Sequence, residues 1–138
     1  MMNPIFHLSL PCKDIEATKK FYIDDLGFNH GRNSSQWLDV DIFNHQITFV
    51  LFDKFWMKNP TYILDSAILP MFHFGIILDE NSWEEMYDRV NHWTLDITPK
   101  KKFFQDKNGE HHSFFFKDPN DYTIEFKTFV DNDSIFLI

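Results

Sequence analysis

Two histidines and one glutamate carry the most specific chemistry in this sequence. His7 lies in the short apolar run Ile5-Phe6-His7-Leu8-Ser9-Leu10, and His73 in Met71-Phe72-His73-Phe74-Gly75-Ile76-Ile77-Leu78. Side chains alternate across a strand, so His7 shares a face with Ser9 and His73 with Gly75, small neighbours that leave room beside an imidazole. Glu125 interrupts the apolar segment Ile124-Glu125-Phe126. A carboxylate there is costly to bury unless something offsets its charge, and a divalent cation would do so. Two imidazoles and a carboxylate can form the facial triad that holds non-haem Fe(II) with positions open for substrate and oxygen. Spacing alone leaves a second possibility open, in which Glu125 faces solvent and both histidines are satisfied core groups. Of the seven histidines, His30 and His92 sit near element ends and read as structural or exposed.

The elements that would position these residues follow a repeated pattern. A strand over residues 5–10 is bounded by Pro4 and Pro11, and Asp14 can cap a following helix whose inward face is Ile15, Thr18, Phe21, Tyr22 and Leu26, with Gly27 placed to end it. Trp37, Val40, Ile42 and Phe43 mark strand segments, and Gln46–Phe52 reads as another. Residues 53–70, with Pro60 and Pro70, read as a connector. The pattern then restarts with a strand at 71–78 and a capping box of Ser82 and Glu85 opening a helix with Trp83, Met86, Tyr87 and Val90 on one face. Strands are expected at 96–103, 112–117 and 122–128, the last two joined by the tight turn Asp118-Pro119-Asn120-Asp121. The expectation is one α+β domain over 1–138, made of two βαβββ modules at about 1–60 and 70–130 with an apolar tail at 131–138.

The segment Ile5-Phe6-His7-Leu8-Ser9-Leu10-Pro11, with Asp14-Ile15, Phe21-Tyr22 and Leu26-Gly27-Phe28 after it, resembles the opening of vicinal oxygen chelate proteins, the superfamily of glyoxalases, bleomycin-resistance proteins and extradiol dioxygenases. Phe72-His73-Phe74-Gly75-Ile76 resembles the start of their second module, and Phe115-Phe116-Lys117-Asp118-Pro119-Asn120 leading to Ile124-Glu125-Phe126 resembles their closing hairpin. The likeness spans nearly the whole chain. It implies a cup-shaped mixed sheet built from the two modules, with His7, His73 and Glu125 as metal ligands. Fe(II) is the expected ion, with Mn(II), Ni(II) or Zn(II) as alternatives.

The branch it points to is a small dioxygenase-like enzyme whose substrate chelates the metal through two vicinal oxygens. Phe43-Asn44-His45-Gln46 resembles that branch too, with Asn44 where a glycine is common. The fourth-strand run Gln46–Leu51 lacks the glutamate of glyoxalase-type isomerases, which counts against their chemistry, although Thr48 could help complete a coordination sphere. Proton transfer in the dioxygenase reading would fall to His112, His45 or Tyr122. Phe49, Trp56, Phe104 and Phe114 are the candidate pocket wall, with Thr48 beside them. The competing class is a ligand-sequestering protein of the bleomycin-resistance type, which needs no metal. Such a protein would suit the 18% aromatic content, and the acidic charge would favour a cationic ligand.

Composition narrows the field. A net charge of −8 opposes nucleic acid or anionic membrane as a partner. No run reaches the ~20 apolar residues of a bilayer span, and the first residues lack the basic start and apolar run of a signal peptide. A single cysteine, Cys12, fits a reducing cytoplasm and reads as a packed residue. Four glycines leave no phosphate-cradling loop or dinucleotide fingerprint. The partner expected is a small-molecule substrate; the resemblance implies a homodimer, with the apolar tail as a segment that could pack on the partner subunit.

Overall fold

The computed structural model describes residues 1–93 and 96–137. The chain divides into two compact units, one of residues 1–57 with 118–121 and one of 58–117 with 122–138.

The first unit is a βαβββ module. Its strands are β1 (His7–Cys12), β2 (Asn29–Asn33), β3 (Trp37–Ile42) and β4 (His45–Leu51), in the sheet order β1-β4-β3-β2. β1 runs parallel to β4, and the other pairs are antiparallel. The helix α1 (Ile15–Lys19) starts where Asp14, in extended conformation, accepts a 2.8 Å hydrogen bond from the Ala17 amide. It continues as a π turn over Lys20–Asp25 and stops at Gly27, whose φ of 79° a side chain would disfavour. The anticipated inward residues Ile15, Thr18, Phe21, Tyr22 and Leu26 are all buried. Phe43 belongs to a turn and not to a strand: Phe43 and Asn44 both have positive φ, the geometry of a two-residue hairpin whose twist matches its strands. The anticipated turn at 118–121 is present and belongs with this unit, where Tyr22 Oη donates to Asp118 at 2.8 Å and the Lys13 amide donates to Asn120 at 2.8 Å.

The second unit repeats the topology with an addition. Residues 53–70 are more than a connector, because β5 (Thr61–Leu64) and β6 (Ala67–Pro70) form a hairpin turned by Asp65 and Ser66, again both at positive φ. The reason is period-2 burial: Ala67 and Leu69 are buried while the facing pair Ile63 and Ile68 is exposed. Then follow β7 (His73–Ile77), α2 (Glu80–Asn91), β8 (Lys101–Phe103), β9 (His111–Lys117) and β10 (Thr123–Phe129), in the order β7-β10-β9-β8 with β7 parallel to β10. β8 is shorter than the strand expected at 96–103. Pro99 cannot donate to a ladder, and residues 96–100 form no strand. Both sheets thus have the α+β architecture expected of two βαβββ modules.

α2 begins three residues earlier than the capping box suggested. Asp79 is the cap: its carboxylate accepts from the Ser82 amide at 2.9 Å and from Ser82 Oγ at 2.8 Å. Trp83, Met86 and Val90 then fall inward, and Trp83 Nε1 donates to the Phe126 carbonyl at 2.8 Å. Asp79→Ala is expected to lower stability by about 1 kcal/mol, read from urea denaturation. A loss below a few tenths would mean that packing of Trp83 alone sets the helix start.

Candidate functional site

The sheet of the second unit has two faces of different character. Phe74, His112, Phe114, Phe116, Ile124 and Phe126 share the face covered by α2, as the contacts of Trp83 and Tyr87 with Phe114 show. His73, Ser113, Phe115, Thr123, Glu125 and Lys127 share the other.

On that second face the structure brings His73 and Glu125 together. His73 Nε2 stands 3.0 Å from Glu125 Oε2. His73 Nδ1 lies 2.9 Å from the Pro70 carbonyl, an acceptor only, so Nδ1 carries a proton there. The imidazole is held further by the Tyr62 ring, stacked at 6.5 Å, and by the edge of Phe115 at 6.0 Å. Glu125 is only 6% exposed. Ser113 Oγ donates to its Oε1 at 2.7 Å, and Lys127 Nζ lies 3.8 Å from its Oε2.

These contacts move both titrations. The hydrogen bond to Glu125 raises the His73 pKa above 6.5, against the opposing effect of burial. Burial pushes the Glu125 carboxyl upward, but His73, Lys127 and Ser113 together outweigh it and hold the group below 4.5. Without metal, both shifts favour the imidazolium–carboxylate form of the pair. His111, on the same face, is stacked on Phe103 at 5.0 Å, and burial lowers its pKa.

The close approach of β10 to β7 depends on Gly75. A methyl group there would overlap the carbonyl of Glu125, its register partner, and would lie 3.1 Å from the Glu125 amide nitrogen.

The other anticipated site residues fall elsewhere. His112 faces α2, not Glu125: its ring lies 6.2 Å from Trp83, and its Nε2 is buried, 3.6 Å from the nearest Glu110 oxygen and without a hydrogen bond. Strand alternation puts His111, not His112, on the Glu125 face. Phe114 is a core residue among Trp83, Tyr87 and Phe126, and Tyr122 is buried beside Phe72 and Phe74. Phe104 does pack on the cluster of Ala67, Leu69, Phe103 and Phe115 next to His111.

The remaining candidates belong to the first unit. His7 is exposed at the start of β1, paired in register with Gln46. Phe49 is buried against Tyr22 and is core, not pocket wall, while Trp56 is exposed. His45 accepts from the Phe6 amide at 3.1 Å and lines a cavity of about 230 Å³ with Ile5, Asp39, Asp41 and Gln46. Register makes Thr48 the counterpart of Glu125, since Ser9 pairs with Thr48 as Gly75 pairs with Glu125. Thr48 Oγ1 donates to Asp39, 3% exposed, at 2.6 Å, and Asp39 also accepts from Arg32 at 3.1 Å.

Sequence reasoning missed Ser113, Lys127 and Tyr62. Ser113 and Lys127 could have been found from alternation, each two residues from a residue already on that face. Tyr62 lay in the segment taken for a connector. Within either unit, among the described residues, no three histidine, cysteine, aspartate or glutamate side chains are grouped closely enough to share a cation. His73 and Glu125 nonetheless fit one as a pair of donors. With Nδ1 bonded to a backbone carbonyl, Nε2 is the atom turned to the carboxylate, the outer-shell arrangement common to metal-ligating histidines, and a cation would replace the proton the pair shares.

Among solved structures, the chain is similar to a glyoxalase/bleomycin resistance protein/dioxygenase from Alicyclobacillus acidocaldarius, at 24% identity and a TM-score of 0.82 over 97% of each chain. It is also similar to a genomically encoded fosfomycin resistance protein from Listeria monocytogenes, at 16% identity and a TM-score of 0.68 over 97% of this chain and 98% of that one. A virulence protein from Salmonella typhimurium matches at 20% identity and a TM-score of 0.64, over 94% and 99%. No curated protein matches. No helix among the described residues is long and apolar enough to cross a membrane. The family model for the Glyoxalase/Bleomycin resistance protein/Dioxygenase superfamily matches residues 5–126, and the chain belongs to that superfamily, the vicinal oxygen chelate proteins.

Proposed function

We propose that this protein is a divalent-metal-dependent enzyme, dioxygenase-like in its chemistry, whose substrate binds through two vicinal oxygens. The observation that carries the reading is the His73–Glu125 pair, a buried carboxylate facing an imidazole whose other nitrogen is already bonded. His7, at the matching first position of the first strand in its own unit, is the third ligand that the family pattern assigns. The superfamily generally uses divalent metals. A bound ion would supply a template and a Lewis acid for the vicinal oxygens. Fe(II) suits two imidazoles and one carboxylate best, and Mn(II), Ni(II) and Zn(II) share the ligand set. The protein's own residues would hold and orient the site: Pro70 and Tyr62 fix the His73 ring, and Ser113 fixes the carboxylate. We further propose a homodimer, because Val130, Phe136 and Leu137 leave apolar surface exposed near the end of the chain, and a reducing cytoplasm, which the free Cys12 suits.

A second reading has its own support. His73, Ser113 and Lys127 already satisfy Glu125, so its burial does not require a metal. That is compatible with a protein that sequesters a ligand without catalysis.

Elemental analysis of protein purified without a chelating tag separates the two. About one equivalent of iron, manganese, nickel or zinc is expected, lost in His73→Ala, and catechol-type substrates would then be assayed with the Fe(II) form. No metal, even after anaerobic reconstitution with Fe(II), would overturn the enzyme reading and leave sequestration. Metal without ring-opened product would overturn the dioxygenase part alone.

A further inference from the structure

Lys127 behaves unlike the other paired basic residues. Lys13, Lys20 and Arg32 meet carboxylates at 2.5, 2.8 and 3.1 Å, and Lys100 is in direct contact with Glu84. Lys127 lies 3.8 Å from Glu125, too far for a hydrogen bond. Yet its side chain is only 29% exposed. It is held on a polar sheet face, two residues from Glu125 on the same strand and opposite Ser113 in register. At that distance the Lys127 ammonium group makes no hydrogen bond to Glu125, so its donors are open to another acceptor on this face.

The local charge also differs from that of the whole chain. Glu125 is the one acid of this constellation, and it faces two basic groups, His73 and Lys127. With His73 protonated the trio is net positive, and a divalent cation in place of that proton would make it more so. The overall −8 charge pointed toward a cationic ligand. At this face the balance runs the other way.

We infer that Lys127 is the anion-holding group of the site, so that the substrate carries a carboxylate beside, or as part of, its vicinal oxygens. The inference rests on the reading of His73 and Glu125 as the ligand-binding centre. Lys127 donates to an anionic oxygen of the bound molecule and leaves Glu125 free for its other partners. It is a specificity-determining residue: neutral molecules with the same oxygen spacing lose its charge-assisted hydrogen bond.

Oxalate, a small dianion with vicinal oxygens, serves as the probe. It would be titrated by calorimetry into metal-free and Mn(II)-loaded protein, for the wild type, Lys127→Met and Lys127→Arg, after circular dichroism confirms that each is folded. Lys127→Met is expected to weaken oxalate by about tenfold or more, with Lys127→Arg near wild type and Mn(II) affinity equal or tighter in the methionine variant. Unchanged oxalate affinity in Lys127→Met, or no oxalate binding in either form of the wild type, would overturn the inference. Should Mn(II) fail to bind, the metal reading falls separately. The metal-free titration then decides: oxalate binding that Lys127→Met removes upholds the anion-holding role, and binding that survives it overturns that role.

Discussion

Gly75→Ala is expected to lower stability by about 3–5 kcal/mol, a loss outside the usual range for a single methyl group. The cause is a backbone collision. A Cβ at residue 75 would overlap the carbonyl oxygen of Glu125 in the neighbouring parallel strand, and it would crowd the amide of the same residue. A flexible side chain could swing away, but a main-chain carbonyl held in a ladder cannot. To make room, β10 must move off β7, and that displaces Glu125 relative to His73 two residues along. Stability and the His73–Glu125 contact should therefore fail together. Guanidinium denaturation would give the first quantity, and the His73 imidazole titration followed by NMR would give the second, with its pKa falling back toward 6.5. A loss under about 1 kcal/mol with an unchanged His73 titration would show that the two strands part without cost.

The position of Gly75 illustrates what the sequence could and could not reveal. Its alternation with His73 was visible, and it was read as room beside the imidazole. The room is in fact taken by the neighbouring backbone, which no periodicity discloses. Strand and helix order was legible because apolar spacing and punctuation agreed: Gly27 ends α1, and the Asp118–Asp121 turn joins β9 to β10. The hairpin at 61–70 was missed because its two strands are four residues each, and Pro60 and Pro70 at its ends resemble loop punctuation. The start of α2 was misplaced because Ser82 and Glu85 satisfy the capping pattern as well as Asp79 and Ser82 do, and only the backbone decides between them.

For the site, residue type was a better guide than aromatic content. His73 and Glu125 were picked out because a charge or an imidazole inside an apolar strand needs a partner, and each turns out to be the other's. His112, Phe49 and Phe114 were chosen without a face assignment. Counting from Glu125 through its partner Phe115 places Ser113 and His111 on the site face and sends Phe114 and His112 under α2. The aromatic load therefore divides differently from the expectation. Phe49, Phe114, Phe116 and Phe126 build cores, while Tyr62, Phe103, Phe104 and Phe115 surround the His73 and His111 rings.

Glu125→Gln should produce a stability loss whose size depends on pH, and the sign follows from the two shifts. The pKa of His73 is raised by folding, so its contribution is fully present below the unfolded value near 6.5 and is lost as pH rises through the higher folded value. The pKa of Glu125 is lowered by folding, so its contribution is present above the unfolded value near 4.5 and is lost as pH falls through the lower folded value. In metal-free protein, kept in chelator, the bridge therefore stabilises most between about pH 4.5 and 6.5. The glutamine retains the Ser113 hydrogen bond but removes the charge that His73 and Lys127 face. Both cations keep some access to solvent, which limits the loss to about 2 kcal/mol within that window. Above the raised His73 value the neutral imidazole no longer needs the carboxylate, and the difference should shrink to the part that the Lys127 charge contributes. Urea denaturation of both at intervals from pH 4 to 9 would test this. A difference that stayed constant across the range would mean that Glu125 acts through packing and not through the bridge. Adding Mn(II) to the wild type should then extend its advantage to higher pH, because a cation takes the place of the proton that alkaline conditions remove.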